Sequence, residues 1–162
     1  EAGVDYVILH GRTKKQMYSG KADWKAIKEL KDALDIPVIA NGDVFSVEDY
    51  IEIMNQTNAD GVMLARGAMG NPFLFKQIKD YINTGTYTKP SPEEIINQVI
   101  DHYKLGLKYK REDLVLTQMR KHISWYTKGL KNSSKLRQEV NMLNDMDQIF
   151  DLLNKYKDTL EG

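Results

Sequence analysis

Residues 36–67, IPVIANGDVFSVEDYIEIMNQTNADGVMLARG, decide the fold of this chain. The segment begins with the aliphatic run IPVIA and ends with a second run, DGVMLA, and both are as short and apolar as buried parallel strands. Between them, apolar residues from Val47 to Met54 recur at the spacing of one helix face, and Ser46 is the predicted N-cap. This order predicts two parallel strands joined by a crossover helix.

The same pattern continues outward on both sides of this segment. Upstream, VDYVIL at residues 4–9 predicts another strand, and apolar positions from Trp24 to Leu34 predict the helix that follows it. Downstream, Asn71 is predicted to cap a helix that has Pro72 in its first turn and runs to about residue 83. Three strands alternating with helices predict an α/β sheet or barrel over residues 1–88.

The remainder of the chain, residues 89–162, has helical periodicity throughout. Ser91, Pro92 and Glu94 form a predicted capping box after the break TGTYTKPSP. Four helices are predicted near residues 93–109, 112–128, 133–143 and 145–159. A small helical domain therefore follows the α/β part.

Composition excludes several classes of protein. The chain has 162 residues, 41% of them apolar, with 23 Lys and Arg, 23 Asp and Glu, and no cysteine. It is therefore neither collagen-like nor disordered, and disulfides, thiol chemistry and cysteine-ligated metals are excluded from it. No apolar run approaches the roughly 20 residues that cross a bilayer, and no signal peptide is recognisable, so a cytoplasmic location is expected.

The zero net charge conceals a basic segment between Lys104 and Arg137. It holds ten basic and two acidic residues, a local net charge of +8. Such clustering attracts polyanions, although a charge run is also typical of a solvated helix face. Aromatic residues within it, such as Tyr109 and Trp125, favour RNA as the partner, because rings beside cations suit nucleotide bases.

Polar or glycine-rich sequence follows each predicted strand: His10-Gly11-Arg12-Thr13, Asn41-Gly42-Asp43 and Arg66-Gly67-Ala68. Ligands of α/β sheets and barrels bind beyond the carboxyl ends of the strands, so these residues predict a binding site. Gly67 and Gly70 precede a helix and predict a phosphate site, with a plain tight turn as the alternative. For Asp43, capping a turn and contacting a ligand are equally plausible. No metal-site spacing and no G-x-S-x-G turn is present.

Four ordered segments carry a family resemblance: HGRTKKQMYSGKADW at 10–24, IPVIANGDV at 36–44, ADGVMLARGAMGNPFLF at 59–75 and MRKHISWYTKG at 119–129. The chain resembles the tRNA-dihydrouridine synthases, in particular the bacterial B-type branch. The resemblance implies a TIM (β/α)8 barrel that binds FMN, followed by a helical domain that helps to hold tRNA. It also implies the reaction: NADPH reduces the flavin, a hydride passes to C6 of uracil, and a cysteine protonates C5 to give 5,6-dihydrouridine.

The resemblance also assigns roles to matching residues. It implies that FMN contacts seven residues after the strands: His10, Arg12, Asn41, Gly42, Asp43, Arg66 and Gly67. Arg120, Lys121, His122, Trp125, Tyr126 and Lys128 match the helical-domain motif. Of these, Arg120, Lys121, His122 and Lys128 are the predicted RNA-binding residues, together with Arg137 from the basic segment. Ala65 stands where the family usually has glycine, close to the expected phosphate.

The departures from the family pattern predict an incomplete protein. A closed barrel has eight strands and about 250 residues, whereas this chain shows three strands and does not begin with Met. We therefore expect the last three β/α units of the barrel and the helical domain, without the catalytic cysteine. By itself the chain is expected to be inactive, to bind FMN weakly or not at all, and to form a homo-oligomer that covers its open strands. The alternatives are an RNA-binding fragment without catalysis and another FMN-dependent barrel oxidoreductase.

Overall fold

A computed structural model describes residues 3–160 of the chain. Its strands are β1 (Val7–His10), β2 (Val38–Asn41) and β3 (Gly61–Met63). Its helices are α1 (Trp24–Ala33), α2 (Val47–Thr57), α3 (Phe73–Thr84), α4 (Pro92–Tyr109), α5 (Glu112–Tyr126), α6 (Ser133–Met142) and α7 (Met146–Asp158), and a 3-10 turn occupies Arg66–Ala68. The mixed α/β class and the order of the elements are as predicted.

The three strands form one parallel sheet in the order β1-β2-β3, as the crossover pattern predicted. β1 begins at Val7 rather than Val4, because its ladder starts opposite Val38. Val38 and Ala40, which share one face of the sheet, are fully buried and pack with Ile27 of α1 and Ile53 of α2. This packing fixes which side chains point to the other face.

The second face of the sheet is open within residues 3–160. Register places His10 of β1 beside Asn41 of β2, and Asn41 beside Met63 of β3. Ile8 and Met63 on this face are 45% and 47% exposed. Parallel sheets are usually covered on both faces, so exposed apolar side chains here are unusual.

The predicted helix starts are confirmed at two positions and wrong at a third. Ser46 accepts a hydrogen bond from Asp49 N at 3.0 Å, and both bonds of the Ser91 capping box are present. Asn71, in contrast, does not cap α3: Pro72 itself takes the N-cap position, and no side chain caps this helix. Because Pro72 already has helical dihedral angles, Asn71 lies one residue too far from the free N–H groups.

The chain divides into two compact units. The first contains the chain up to Ala68 together with Pro72–Tyr87, and the second contains Met69–Asn71 and the chain from Thr88 onward. The first holds the sheet and α1 to α3, and the second holds α4 to α7. The second unit has its own apolar core, which includes Ile96, Tyr103, Ile123 and Leu153.

Tyr103 lies in that core with a hydroxyl that has no hydrogen-bond partner among the described residues. The side chain is 0% exposed, and burial raises the pKa of its phenol well above the ordinary value. A buried hydroxyl without a partner costs about 1–3 kcal/mol of desolvation.

We therefore expect Tyr103→Phe to leave stability unchanged or to raise it by about 1 kcal/mol. Tyr156→Phe is the matched control, because the Tyr156 hydroxyl donates to Lys131 O at 2.6 Å and its removal should destabilise the same core. Urea unfolding followed by Trp125 fluorescence in a Trp24→Phe background measures both effects. A clear loss of stability in Tyr103→Phe would contradict the prediction.

Candidate functional site

The carboxyl ends of the three strands meet in one network of hydrogen bonds. His10 Nδ1 lies 3.2 Å from Asn41 O, and Asn41 Nδ2 donates to Met63 O at 2.7 Å. A carbonyl only accepts, so this contact places the His10 proton on Nδ1 and leaves Nε2 for another group. Hydrogen bonds therefore join the ends of all three strands at one edge of the sheet.

Asp43 joins three segments of the chain through its carboxylate. Oδ1 accepts from Arg12 Nη1 at 2.7 Å and from Arg66 Nη2 at 3.2 Å. Oδ2 accepts from Arg12 Nη2 at 2.5 Å and from Ala22 N at 2.8 Å. Burial alone would raise the pKa of this carboxyl, but the hydrogen bonds from Arg12 and Ala22 and the two arginine charges hold it below the ordinary value.

Six of the seven predicted FMN-binding residues line one cleft beside this network: His10, Asn41, Gly42, Asp43, Arg66 and Gly67. Ala65 lines the same cleft and is exposed, so its extra methyl group stands at the cleft wall. Arg12 is the exception, because its side chain is only 3% exposed. The cleft is therefore bounded by residues from all three strand ends.

The sequence patterns did not predict two aromatic residues of this site. The Arg66 guanidinium lies 4.5 Å from the centre of the Tyr18 ring and 5.7 Å from that of Phe45. Both distances fit cation–π contacts. Tyr18 lies within the segment at 10–24 that carries the resemblance, and Phe45 follows the segment at 36–44 by one residue, but neither has a periodic signal.

The two glycines of the predicted phosphate loop are both explained by close packing. A Cβ on Gly67 would lie 2.0 Å from Val44 O. A Cβ on Gly70, which has φ +71°, would lie 2.6 Å from Trp125 Cβ. A side chain is therefore excluded at both positions whether or not an anion binds there.

Four of the five predicted RNA-binding residues fall into two groups. Arg120 Nη2 donates to Asn144 Oδ1 at 2.9 Å and to Leu143 O at 3.2 Å, and Arg137 Nη1 donates to Ser133 Oγ at 3.0 Å. Arg120 therefore ties α5 to the segment that follows α6, whereas the contact of Arg137 lies within α6. Lys121 and Lys128 are exposed, and Lys121 Nζ lies 5.2 Å from the centre of the Trp125 ring.

His122, the remaining RNA-binding candidate, belongs to a ring cluster that also contains His102. Their ring centroids are 4.7 Å apart, and the Trp125 ring lies 5.0 Å from His122. Burial lowers the pKa of His102, and the Lys110 charge adds to this. Burial likewise lowers the pKa of His122, with contributions from His102, Lys110 and Lys121. The spacing of His122 and Trp125 was visible in the sequence, but the pairing with His102 was not.

The two histidines make stability depend on pH. Their folded pKa values lie below the unfolded value of about 6.5, so the unfolded chain binds protons more readily. Their contribution is complete above that pH and is lost as pH falls from there through the lower pKa values of the folded state. We expect the second unit to be less stable in urea at about pH 5.5 than at about pH 7.5.

The variant His102→Gln/His122→Gln should reduce this dependence of the second unit's stability on pH. His10→Gln, in the first unit, should leave it unchanged. Trp125 fluorescence in a Trp24→Phe background reports the unfolding. If the double variant kept the same dependence of stability on pH, that dependence would belong to other groups.

Two kinds of feature are absent from the part of the chain that the structure describes. Within residues 3–160, no helix is long and apolar enough to cross a membrane. Over the same residues, no three or more His, Asp or Glu side chains are grouped so that they could hold a metal ion.

Known proteins are similar to this chain over most of its length. The family model described as "Dihydrouridine synthase (Dus)" matches residues 1–161. A "Probable tRNA-dihydrouridine synthase" of Rickettsia bellii is 44% identical over 146 residues, which cover 89% of this chain and 44% of that protein. A "tRNA-dihydrouridine synthase B" of Vibrio cholerae serotype O1 is 35% identical over 161 residues, covering 99% of this chain and 50% of that protein.

The chain thus spans half or less of the length of these curated relatives. The match nevertheless extends over all four motif segments and both compact units. The chain belongs to the dihydrouridine synthase family.

Proposed function

We propose that this chain is part of a flavin-dependent tRNA-dihydrouridine synthase. In this proposal residues 1–88 supply the last three β/α units of an FMN-binding (β/α)8 barrel, and residues 89–162 form a helical tRNA-binding domain. The observation that carries it is the cleft at the carboxyl ends of parallel strands, lined by six of the predicted FMN-binding residues in a chain of this family.

The groups at the cleft fit a flavin mononucleotide. Arg66 offers a partly exposed guanidinium to the phosphate, and His10 Nε2 and the Asn41 side-chain oxygen offer polar contacts to the ring or its ribityl chain. FMN, when bound, would carry the hydride from NADPH to C6 of uracil. The residues of this chain would bind and orient that cofactor.

The tRNA would contact the second unit through its exposed cations. Lys121 and Lys128 are exposed, whereas hydrogen bonds hold the half-buried Arg120 and Arg137. The surrounding segment carries a net charge of +8. Phosphate contacts of this kind make binding strongly dependent on salt. The Lys121–Trp125 pair places a ring beside a cation, which suits an unpaired base.

The activity is tested in a chimera in which this chain replaces the matching segment of the Rickettsia bellii relative. Dihydrouridine should form in unmodified tRNA with FMN and NADPH. Arg66→Ala should lower flavin retention, whereas Lys25→Ala, at an exposed position of α1, should not. A folded chimera that retains flavin but makes no dihydrouridine would contradict the proposal.

A second candidate, RNA binding without catalysis, is favoured by the absence of cysteine from the chain. The isolated chain should then bind tRNA with an affinity that falls as salt rises, and without flavin colour. Lys121→Ala/Lys128→Ala should weaken binding, with Lys25→Ala/Lys76→Ala as the matched control. Flavin retained through dialysis would favour the enzyme over the binding module.

We also propose that the isolated chain self-associates through its open sheet face. Ile8 and Met63 are about half exposed there, and Tyr6 is 57% exposed. Light scattering at micromolar concentration should give a mass above the 18.7 kDa of the monomer. Ile8→Lys, which places a charge on this face, should lower the mass, and a monomeric wild type would contradict the proposal.

A further inference from the structure

The two arginines at the strand ends are held in different ways. Arg12 makes two parallel bonds to the Asp43 carboxylate, and its Nη2 also donates to Gly20 O at 2.8 Å. Bidentate pairs of this kind are strong and geometrically fixed. Because the Arg12 side chain is also only 3% exposed, its guanidinium has almost no surface left for a ligand.

Arg66 is more exposed than Arg12 and makes fewer hydrogen bonds. It is 36% exposed, and within residues 3–160 its one hydrogen bond is the 3.2 Å contact from Nη2 to Asp43 Oδ1. Its guanidinium stacks on the rings of Tyr18 and Phe45. Stacking uses the face of a guanidinium and leaves its in-plane N–H groups for an anion.

Asp43 reaches both arginines from an uncommon backbone conformation. Its φ is +58°, directly after Gly42 at +133°. A left-handed residue other than glycine costs free energy and persists when its surroundings hold it in place. A Cβ on Gly42 would lie 2.7 Å from Ala22 Cβ, so this turn packs tightly against the loop that follows β1.

We propose that Asp43 is a positioning residue with two roles. Its carboxylate fixes the buried guanidinium of Arg12, and this Arg12–Asp43 ion pair is called the brace. The same carboxylate holds Arg66 at the cleft as the arginine that contacts the cofactor phosphate. The brace stands on the contacts of this chain alone, whereas the phosphate contact rests on the proposed FMN site. Asp43 then acts through Arg66 and does not itself touch the ligand.

The brace is tested by the reaction of arginines with phenylglyoxal, mapped by mass spectrometry of peptides. In the wild-type chain Arg66 should react about tenfold faster than Arg12, or more, because charged hydrogen bonds protect Arg12. Asp43→Asn removes the charge but tolerates positive φ equally well, and Arg12 should then react nearly as fast as Arg66. Asp60→Asn is the matched control, because Asp60 also pairs with a cation, Lys31, and a backbone N–H.

Equal rates for Arg12 and Arg66 in the wild type would overturn the brace, and this comparison needs no folded variant. Continued protection of Arg12 in an Asp43→Asn chain with native circular dichroism would overturn it as well. Reaction of Arg12 in Asp60→Asn at the wild-type rate is the expected result for the control.

The phosphate contact is tested in the chimera with the Rickettsia bellii relative, because the isolated chain is expected to bind FMN weakly or not at all. The reaction is repeated there with FMN and with riboflavin, which lacks the phosphate. FMN should slow the reaction of Arg66, riboflavin should not, and Asp43→Asn should reduce the protection by FMN. If the role of Asp43 were merely structural, Asp43→Asn would change the effects of FMN and of riboflavin on the Arg66 reaction alike. Protection of Arg12 in place of Arg66 would overturn the proposal. Failure of FMN to protect Arg66 would overturn the phosphate contact and the flavin site together, while the rates without flavin still decide the brace.

Discussion

Incubated with unmodified tRNA, FMN and NADPH, the 162-residue chain is expected to form no dihydrouridine. In the proposed reaction a cysteine protonates C5, and this chain contains none. Loss of a general acid alone lowers rates by about 10²–10⁴-fold, and in the proposed barrel further flavin contacts would come from strands outside this chain.

Asp43 does not replace that acid. The hydrogen bonds from Arg12 and Ala22 and the charges of Arg12 and Arg66 hold its carboxyl in the ionised form. Mass spectrometry of nucleosides from digested tRNA measures the product, with the Rickettsia bellii relative as the positive control. Dihydrouridine above the level without protein would overturn the prediction.

Gly67→Ala is expected to destabilise the first unit by about 3 kcal/mol or more. The added Cβ would lie 2.0 Å from Val44 O and 3.1 Å from Phe45 Cα, and backbone atoms cannot move aside as a side-chain end can. The loop at Arg66 would have to shift away from the turn that holds Asp43. Urea unfolding followed by Trp24 fluorescence in a Trp125→Phe background measures the loss.

Gly61→Ala is the matched control in the same unit. Its added Cβ would meet only Ile39 Cδ1, at 3.2 Å, and the flexible end of a side chain can move by a few tenths of an ångström. This variant should lose less than about 1 kcal/mol. Equal losses in the two variants would show that the contact with Val44 O does not set the cost.

Hydrophobic periodicity was sufficient to predict the α/β order and the edge where the site lies. The runs around Val38 and Val62 are parallel strands, and the polar residues after them meet because parallel strands end at one edge. Local capping rules predicted Ser46 and Ser91 correctly, since both bonds lie within four residues. They failed at Asn71, where Pro72 took the cap itself.

Local sequence patterns could not predict the tertiary contacts that distinguish one site residue from another. Arg12 and Asp43 are 31 residues apart in the chain, so neither the brace nor the burial of Arg12 has a local signal. The same holds for the rings of His102 and His122, which lie on different helices. The loop motifs made both Arg12 and Arg66 candidates, and only the tertiary contacts show that Arg12 is buried and Arg66 is partly exposed.

The shared carboxylate of Asp43 also makes its neighbours energetically interdependent. Arg12 and Arg66 both contact Oδ1, so removing either one changes the charge balance that the other experiences. Effects of residues that share a partner do not add, and their coupling free energy is commonly about 0.5–3 kcal/mol. Single alanine substitutions at Arg12 and Arg66 therefore overlap, and their separate contributions emerge only from a double-mutant cycle.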